Sequence, residues 1–127
     1  MKNGNGGYFR FQDEHAKAVY PDSNERELLY ISADSLSSGL SESYLAHEFQ
    51  HLINYYQREV LIGISEDEWF NEAMSEYMPS FLGYSSQFEG SYLEMRVQDF
   101  LNLPPNSLIH WKNTPSDCAS GNLFLHY

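Results

Sequence analysis

Cysteine is almost absent from this chain of 127 residues, in which Cys118 stands alone. A single cysteine cannot form an internal disulfide, so the fold is not a disulfide-stapled scaffold. Basic residues are also scarce, since 7 Lys and Arg face 18 Asp and Glu, which gives a formal net charge of -11. A surface this acidic repels phosphates and argues against nucleic acid and anionic membranes as partners. No apolar run in the sequence approaches the roughly 20 residues that a membrane span requires.

Apolar residues make up 42% of the chain and aromatic residues 16%, which is too much for a disordered protein. The length predicts one domain over residues 1–127. The start is polar and glycine-rich with no apolar signal segment, and the chain stops at Tyr127 inside a pattern typical of a helix. We therefore expect a piece of a larger domain, truncated at both ends.

The residue pattern predicts strands early in the chain and helices after them, which is an α+β arrangement. Short alternating or β-branched runs predict the strands, and apolar spacings of three and four residues predict the helices. Ser65 and Glu68 fit a capping box, whereas Pro79 and Pro104 are expected to end helices because proline lacks the amide hydrogen. The predicted ranges are strands 8–11 and 28–31, a loop 35–39, helices 41–63, 65–78 and 93–101, an irregular segment 106–119 and a helix 121–127.

The run His47-Glu48-Phe49-Gln50-His51 lies inside the first long predicted helix. Histidines four residues apart share one helix face, about 5–6 Å apart at Cβ, and their ring nitrogens can converge on one tetrahedral Zn²⁺. Glu48 then lies beside the metal, where it can take a proton from water and later donate it to a leaving amine. The alternative is a helix with two surface histidines. The metal site is favoured by an apolar stripe on this helix, formed by Leu45, Phe49, Leu52, Ile53 and Tyr56.

A catalytic zinc site needs a third protein ligand and leaves the fourth position to water. Glu72 is the candidate, because it lies on the next predicted helix, after a loop long enough to fold one helix back on the other. Glu76 lies one turn further along the same face, where its carboxylate can accept the outer ring N–H of a liganding histidine. Asn71 can act in the same way. The alternative is an ordinary acidic helix whose carboxylates face water.

The motif His47-Glu48-x-x-His51, followed by Trp69-Phe70-Asn71-Glu72-Ala73, resembles the gluzincin metallopeptidases. In that group the glutamate of an Asn-Glu-Ala or Asn-Glu-Gly sequence is the third zinc ligand. Residues 46–54 look most like the hyicolysin-type peptidases of bacteria. The resemblance implies a zincin-like fold, with a small, mostly antiparallel sheet packed on the active-site helix. It also implies Zn²⁺ as cofactor, a peptide or protein as substrate, and a secreted or cell-surface location.

Carried over residue by residue, the resemblance implies that His47, His51 and Glu72 bind zinc and that Glu48 is the general base. On the pattern of thermolysin-like members, Glu76 is the acidic partner of a liganding histidine.

One part of the gluzincin pattern does not carry over directly. These enzymes use a later Tyr or His to stabilise the oxyanion of the tetrahedral intermediate. The register of the aminopeptidase-like members places Cys118 there, and a thiol is a weak donor. The other candidates for this role are His110, His126 and Tyr127.

Three functions follow from these patterns. The first is a zinc peptidase, which the intact Glu48 favours. The second is a catalytically inactive zinc-binding module of a surface protein, which Cys118 in the tyrosine register favours. The third is an interaction domain without metal, for which the ten tyrosines are the relevant feature. None of the motifs encodes the substrate preference or the oligomeric state.

Overall fold

The computed structural model describes residues 6–127, and in this part of the chain the fold is α+β, as predicted. A two-stranded antiparallel sheet is followed by five α-helices. The elements are β1 Gly7–Phe9, β2 Leu29–Ile31, α1 Ala33–Leu36, α2 Ser41–Asn54, α3 Glu68–Phe81, α4 Tyr92–Asn102 and α5 Pro115–His126. A 3₁₀ turn covers Phe11–Glu14, and a π-helical segment, Tyr55–Val60, continues α2.

The two strands pair antiparallel, with Tyr8 opposite Tyr30 and their rings stacked at 4.4 Å between centroids. The second strand confirms its predicted position, but the first ends at Phe9, because the 3₁₀ segment begins at Phe11. Asp13 holds this turn, since its carboxylate accepts hydrogen bonds from the Tyr30 hydroxyl and the Asn24 backbone amide. The sheet packs on α2, as expected for the small sheet over the motif helix.

Helix α2 begins where the predicted helix 41–63 begins and carries the histidine motif, but it ends at Asn54, and the π-helical segment that follows it ends at Val60. The buried face of α2 is also not the predicted apolar stripe. Leu45 and Phe49 are each 45% exposed, whereas Ala46, Glu48 and Asn54 are buried. The reason is tertiary, because α2 packs between α3 and the sheet, and the residues that face these neighbours are mainly polar.

Both predicted ends of α3 were wrong. Asp67 rather than Ser65 occupies the N-cap position, its side chain makes no capping hydrogen bond, and Glu66 pairs with Arg58 at 3.2 Å. At the other end the helix continues through Pro79 to Phe81. Proline removes one backbone hydrogen bond from a helix, but Pro79 is fully buried, and its packing offsets that loss.

Two other predicted segments also differ from the structure. The predicted loop 35–39 overlaps α1, which Ser32 caps by accepting the Ser35 amide hydrogen. The predicted irregular segment 106–119 contains the first residues of α5. Thr114 and Asp117 form a reciprocal capping box around Pro115, which occupies the first helical turn. Helix α4, by contrast, confirms the predicted helix before Pro104.

Helix α3 is the centre of the helical layer, because it packs against α2 on one side and α5 on the other. The contact with α5 is close: a Cβ added at Gly121 would lie 3.3 Å from both Cα and Cβ of Ala73. The buried apolar residues are few and small apart from Tyr92, and the buried polar set includes Glu48 and Glu76. Among residues 6–127, no helix combines the length and apolarity needed to cross a bilayer.

Candidate metal centre

Three side chains from α2 and α3 converge on one point. Nε2 of His47 lies 3.1 Å from Nε2 of His51, and each of these nitrogens lies 3.5 Å from Oε2 of Glu72. All three side chains are partly buried. The structure therefore brings together the three residues that the motifs predicted as metal ligands, and as a group they could hold a metal ion.

The spacing of these three atoms is a test of whether the group fits zinc. In a tetrahedral site with zinc–ligand bonds of about 2.0–2.1 Å, the ligand atoms lie about 3.3–3.4 Å from one another. The triangle formed by His47, His51 and Glu72 has sides of 3.1, 3.5 and 3.5 Å. Two imidazoles and one carboxylate are also a donor set typical of catalytic zinc. Geometry and chemistry thus both fit this metal.

The outer nitrogen of His51 is held by α3. Its Nδ1 lies 3.2 Å from Oδ1 of Asn71 and 3.1 Å from Oγ of Ser75, and the Ser75 hydroxyl donates to the Asn71 carbonyl at 3.0 Å. An acceptor at Nδ1 places the ring proton there and leaves the Nε2 lone pair directed at the cluster. Asn71 thus lies beside a motif histidine, as predicted, and Ser75 adds a second contact.

The outer nitrogen of His47 faces Glu76. Its Nδ1 lies 3.5 Å from Oε1 of Glu76 and, although shielded from solvent, makes no hydrogen bond. Glu76 is almost fully buried. The predicted pairing of Glu76 with a motif histidine therefore involves His47, at a distance slightly longer than a hydrogen bond.

Neighbouring groups shift the pKa values of His47 and Glu72 in opposite directions. Burial lowers the pKa of His47, but Glu72, Glu76 and Glu48 outweigh it, and the net pKa is raised. Burial raises the pKa of Glu72, but His47 and His51 outweigh it and hold this pKa well below its usual range. Glu72 is therefore ionised, which is the state in which a carboxylate binds a cation.

Glu48 lies between the histidines and the sheet. The backbone amide of Phe9 donates a hydrogen bond to its carboxylate, and a Cβ added at Gly7 would lie 3.3 Å from its Cγ. Burial raises the pKa of Glu48, while His47 and His51 lower it and the nearby Glu72 raises it; the net shift is upward. A carboxylate with a raised pKa is a better proton acceptor than an ordinary surface glutamate.

The surroundings of the Cys118 thiol do not indicate a separate reactive site. It contacts Glu76, and burial raises its pKa to about 12, with the Glu76 carboxylate as the next cause. A thiol with this pKa stays protonated and is a poor nucleophile.

The other candidates for oxyanion stabilisation have different surroundings. Nδ1 of His126 lies 2.9 Å from the Asn122 carbonyl, and its ring packs edge-on against Tyr77. His110 lines an open cavity beside Trp69, and Tyr127 is fully exposed.

Several residues that surround the candidate ligands were not predicted from the sequence. Ser75 shares the face of Asn71 one turn later, so the four-residue helical spacing was a usable signal for it. Tyr92 and Arg96, which hold Glu76, come from α4 and had no local signal. The hydrogen bond from the Phe9 backbone amide to Glu48 could not be predicted either, because a backbone donor leaves no pattern in the sequence.

Comparison of the chain with protein-family models, with curated proteins and with solved structures gave no match. Any functional assignment therefore rests on the geometry of the chain's own residues.

Proposed function

We propose that this chain is a zinc-dependent peptidase domain of zincin-like fold. His47, His51 and Glu72 hold the metal, and Glu48 is the general base. The observation that carries the proposal is the ligand triangle, whose sides of 3.1–3.5 Å match the edges of a zinc tetrahedron.

The division of labour among the residues follows from their positions. Zinc bound by the three ligands supplies Lewis acidity, which makes water a stronger acid and polarises a peptide carbonyl. The Glu48 carboxylate accepts a proton from the attacking water and donates it to the leaving amine. The Phe9 amide orients this carboxylate by a hydrogen bond, and the raised pKa of Glu48, caused mainly by burial, suits both steps.

A catalytically inactive zinc-binding module is the second candidate, and the surroundings of three candidate oxyanion donors favour it. Cys118, in the register of the gluzincin tyrosine, is a protonated thiol in contact with Glu76. His126 is bonded to the Asn122 carbonyl, and Tyr127 is fully exposed. A zinc site without a strong oxyanion donor binds metal but loses much of its transition-state stabilisation.

The first experiment separates metal binding from its absence. The chain is purified without chelators, and its zinc content is measured by elemental analysis. We expect a stoichiometry near one for the parent and for Glu59→Gln, which removes an exposed carboxylate from the segment after α2. Glu72→Gln removes the same charge from the cluster and is expected to lose the zinc. A parent without zinc would favour the metal-free interaction domain instead.

The second experiment separates a peptidase from a binding module. Hydrolysis of casein and of a quenched fluorescent peptide is followed for the zinc-loaded parent and for Glu48→Gln. Loss of general-base catalysis typically lowers the rate by about 10²–10⁴-fold, and zinc content is expected to stay unchanged. If the zinc-loaded parent hydrolyses neither substrate, the peptidase hypothesis is wrong, and the inactive zinc-binding module is supported instead.

A further inference from the structure

Glu76 is a buried carboxylate that is held from α4. Arg96 donates from Nε to Oε2 of Glu76 at 2.7 Å and from Nη2 to Oε1 at 2.8 Å. The guanidinium therefore grips both oxygens of one carboxylate, which is the strongest and most directional form of this pair. The Glu76 side chain is only 1% exposed and that of Arg96 13%, so solvent screens this pair weakly.

Tyr92 completes the grip on Glu76. Its ring is fully buried, and its hydroxyl donates to Oε1 of Glu76 at 2.9 Å. The same hydroxyl accepts a hydrogen bond from Nη2 of Arg96 at 2.8 Å. The Arg96 guanidinium carbon also lies 4.9 Å from the centre of the Tyr92 ring, within range of a cation–π contact. Both oxygens of Glu76 thus have fixed directions.

Besides Cys118, which contacts the Glu76 carboxylate, His47 faces this fixed group. Its Nδ1 is shielded from solvent and lies 3.5 Å from Oε1 of Glu76. A neutral imidazole carries one proton, and whichever nitrogen holds it cannot donate a lone pair to a metal. A carboxylate fixed opposite Nδ1 selects the tautomer with the proton there, which leaves Nε2 of His47 free to face Nε2 of His51 and Glu72.

A purely structural ion pair between α3 and α4 is the competing explanation. Buried ion pairs are poor devices for stability, because the cost of desolvating two charges offsets most of their attraction. A structural pair would also leave the state of His47 independent of Arg96. The contact between Glu76 and His47 predicts the opposite.

We propose that Arg96, together with Tyr92, is a positioning residue that fixes Glu76 so that His47 presents Nε2 to the metal. This inference rests on the metal-binding part of the proposed function. It adds to the site an element, α4, that carries no ligand and no motif.

The test uses Arg96→Lys, which keeps the charge but loses the two-point grip, and Tyr92→Phe, which removes one hydrogen bond to Glu76. The matched control is Asp99→Asn, because Asp99 bonds to Nη1 of Arg96, the nitrogen that does not contact Glu76. The first readout is the tautomer of His47 in the zinc-free protein, measured from its ring ¹⁵N chemical shifts at mildly alkaline pH. We expect a single Nδ1–H tautomer in the parent and the control, and a mixture in Arg96→Lys.

The second readout is zinc affinity, measured by competition with a chromophoric chelator. Loss of an outer contact to a liganding histidine typically weakens metal binding about 10–100-fold, and we expect this range for Arg96→Lys. Tyr92→Phe should shift both readouts in the same direction by less, and Asp99→Asn should shift neither. An unchanged His47 tautomer and unchanged zinc affinity in Arg96→Lys would overturn the proposal.

Two further outcomes are also decisive. If Arg96→Lys does not fold, Tyr92→Phe decides, because it keeps the ion pair, and an unchanged His47 tautomer in that variant overturns the proposal. If the parent binds no zinc, the proposed function fails separately, while the tautomer comparison in the zinc-free protein still decides whether Arg96 positions His47.

Discussion

The ring of His51 is oriented by Asn71: its Nδ1 lies 3.2 Å from the Asn71 side-chain oxygen, across the interface between α2 and α3. Asn71 directly precedes the third candidate ligand, Glu72. One turn of α3 therefore supplies both a candidate ligand and the group that orients another candidate ligand. A shift of α3 along α2 would disturb both at once, so under the proposed function we expect zinc affinity to depend on how these helices pack.

Asn71→Leu is expected to weaken zinc binding about 10–100-fold, because His51 loses the acceptor that sets its tautomer. Ser75→Ala should have a smaller effect, since Asn71 remains in place. Competition with a chromophoric chelator measures both affinities. Asn102→Leu, an exposed change of the same kind on α4, is the control. Equal affinities for Asn71→Leu and this control would contradict the role assigned to Asn71.

Gly7→Ala is expected to lower the free energy of unfolding by about 1–3 kcal/mol, the usual cost of overpacking. A Cβ at this position would overlap the Tyr30 carbonyl oxygen and lie 2.9 Å from Cδ1 of Ile31 and 3.3 Å from Cγ of Glu48. Because the first two contacts belong to the paired strand, β1 must move. Urea denaturation measures the loss, and a variant as stable as the parent would show that the sheet absorbs the methyl group without strain.

The stability that the ionised Asp13 contributes should be lost in acid. The hydrogen bond from Tyr30 lowers the pKa of Asp13 below 3.8; burial opposes this shift, and Asn24 and Arg10 support it. A lowered folded pKa contributes stability that is present above the unfolded pKa and is lost as the pH falls through the folded value. Urea denaturation should therefore show a stability gap between the parent and Asp13→Asn that is full at neutral pH and narrows below pH 3.8.

The exposed Asp22 provides the control for this pH dependence, since Asp22→Asn makes the same change of charge at the surface. We expect its stability difference from the parent to be small, because the substitution lies at the surface. A gap for Asp13→Asn that stays constant down to the acid transition would mean that the Asp13 carboxyl titrates equally in the folded and unfolded protein.

Cys118 is expected to resist alkylation in the folded protein. With its pKa raised to about 12 by burial and by Glu76, the thiolate is about a thousandfold rarer near pH 8 than for an unfolded cysteine of pKa about 8.5. Mass spectrometry after iodoacetamide treatment, with and without urea, measures the ratio of rates. Ser107→Cys in a Cys118→Ser background places a thiol at an exposed position and should react rapidly. Comparable rates for the two sites would contradict the shielding assigned to the partly buried Cys118.

Much of the site was predictable because its spacing is local. The separation of His47 and His51 by one helical turn follows from helix geometry alone, and the same rule relates Glu72 to Glu76. Chain direction and loop length then made it reasonable to expect these two helices to meet. The α+β class and the position of β2 followed from residue patterns for the same reason, since strand and helix periods are properties of short segments.

The features that local sequence patterns did not predict depend on which helix surfaces pack against each other. Pro79 lies inside α3, where its burial offsets the lost backbone hydrogen bond. On α2, Phe49 of the predicted apolar stripe is 45% exposed, so apolar periodicity alone did not identify the buried face. The partners of Glu76 come from α4, far along the chain, so only the packing of the helices placed Arg96 beside it. Short-range geometry thus specified the candidate ligands, whereas the environment that orients them is tertiary, because it arises from contacts between residues that are distant in sequence.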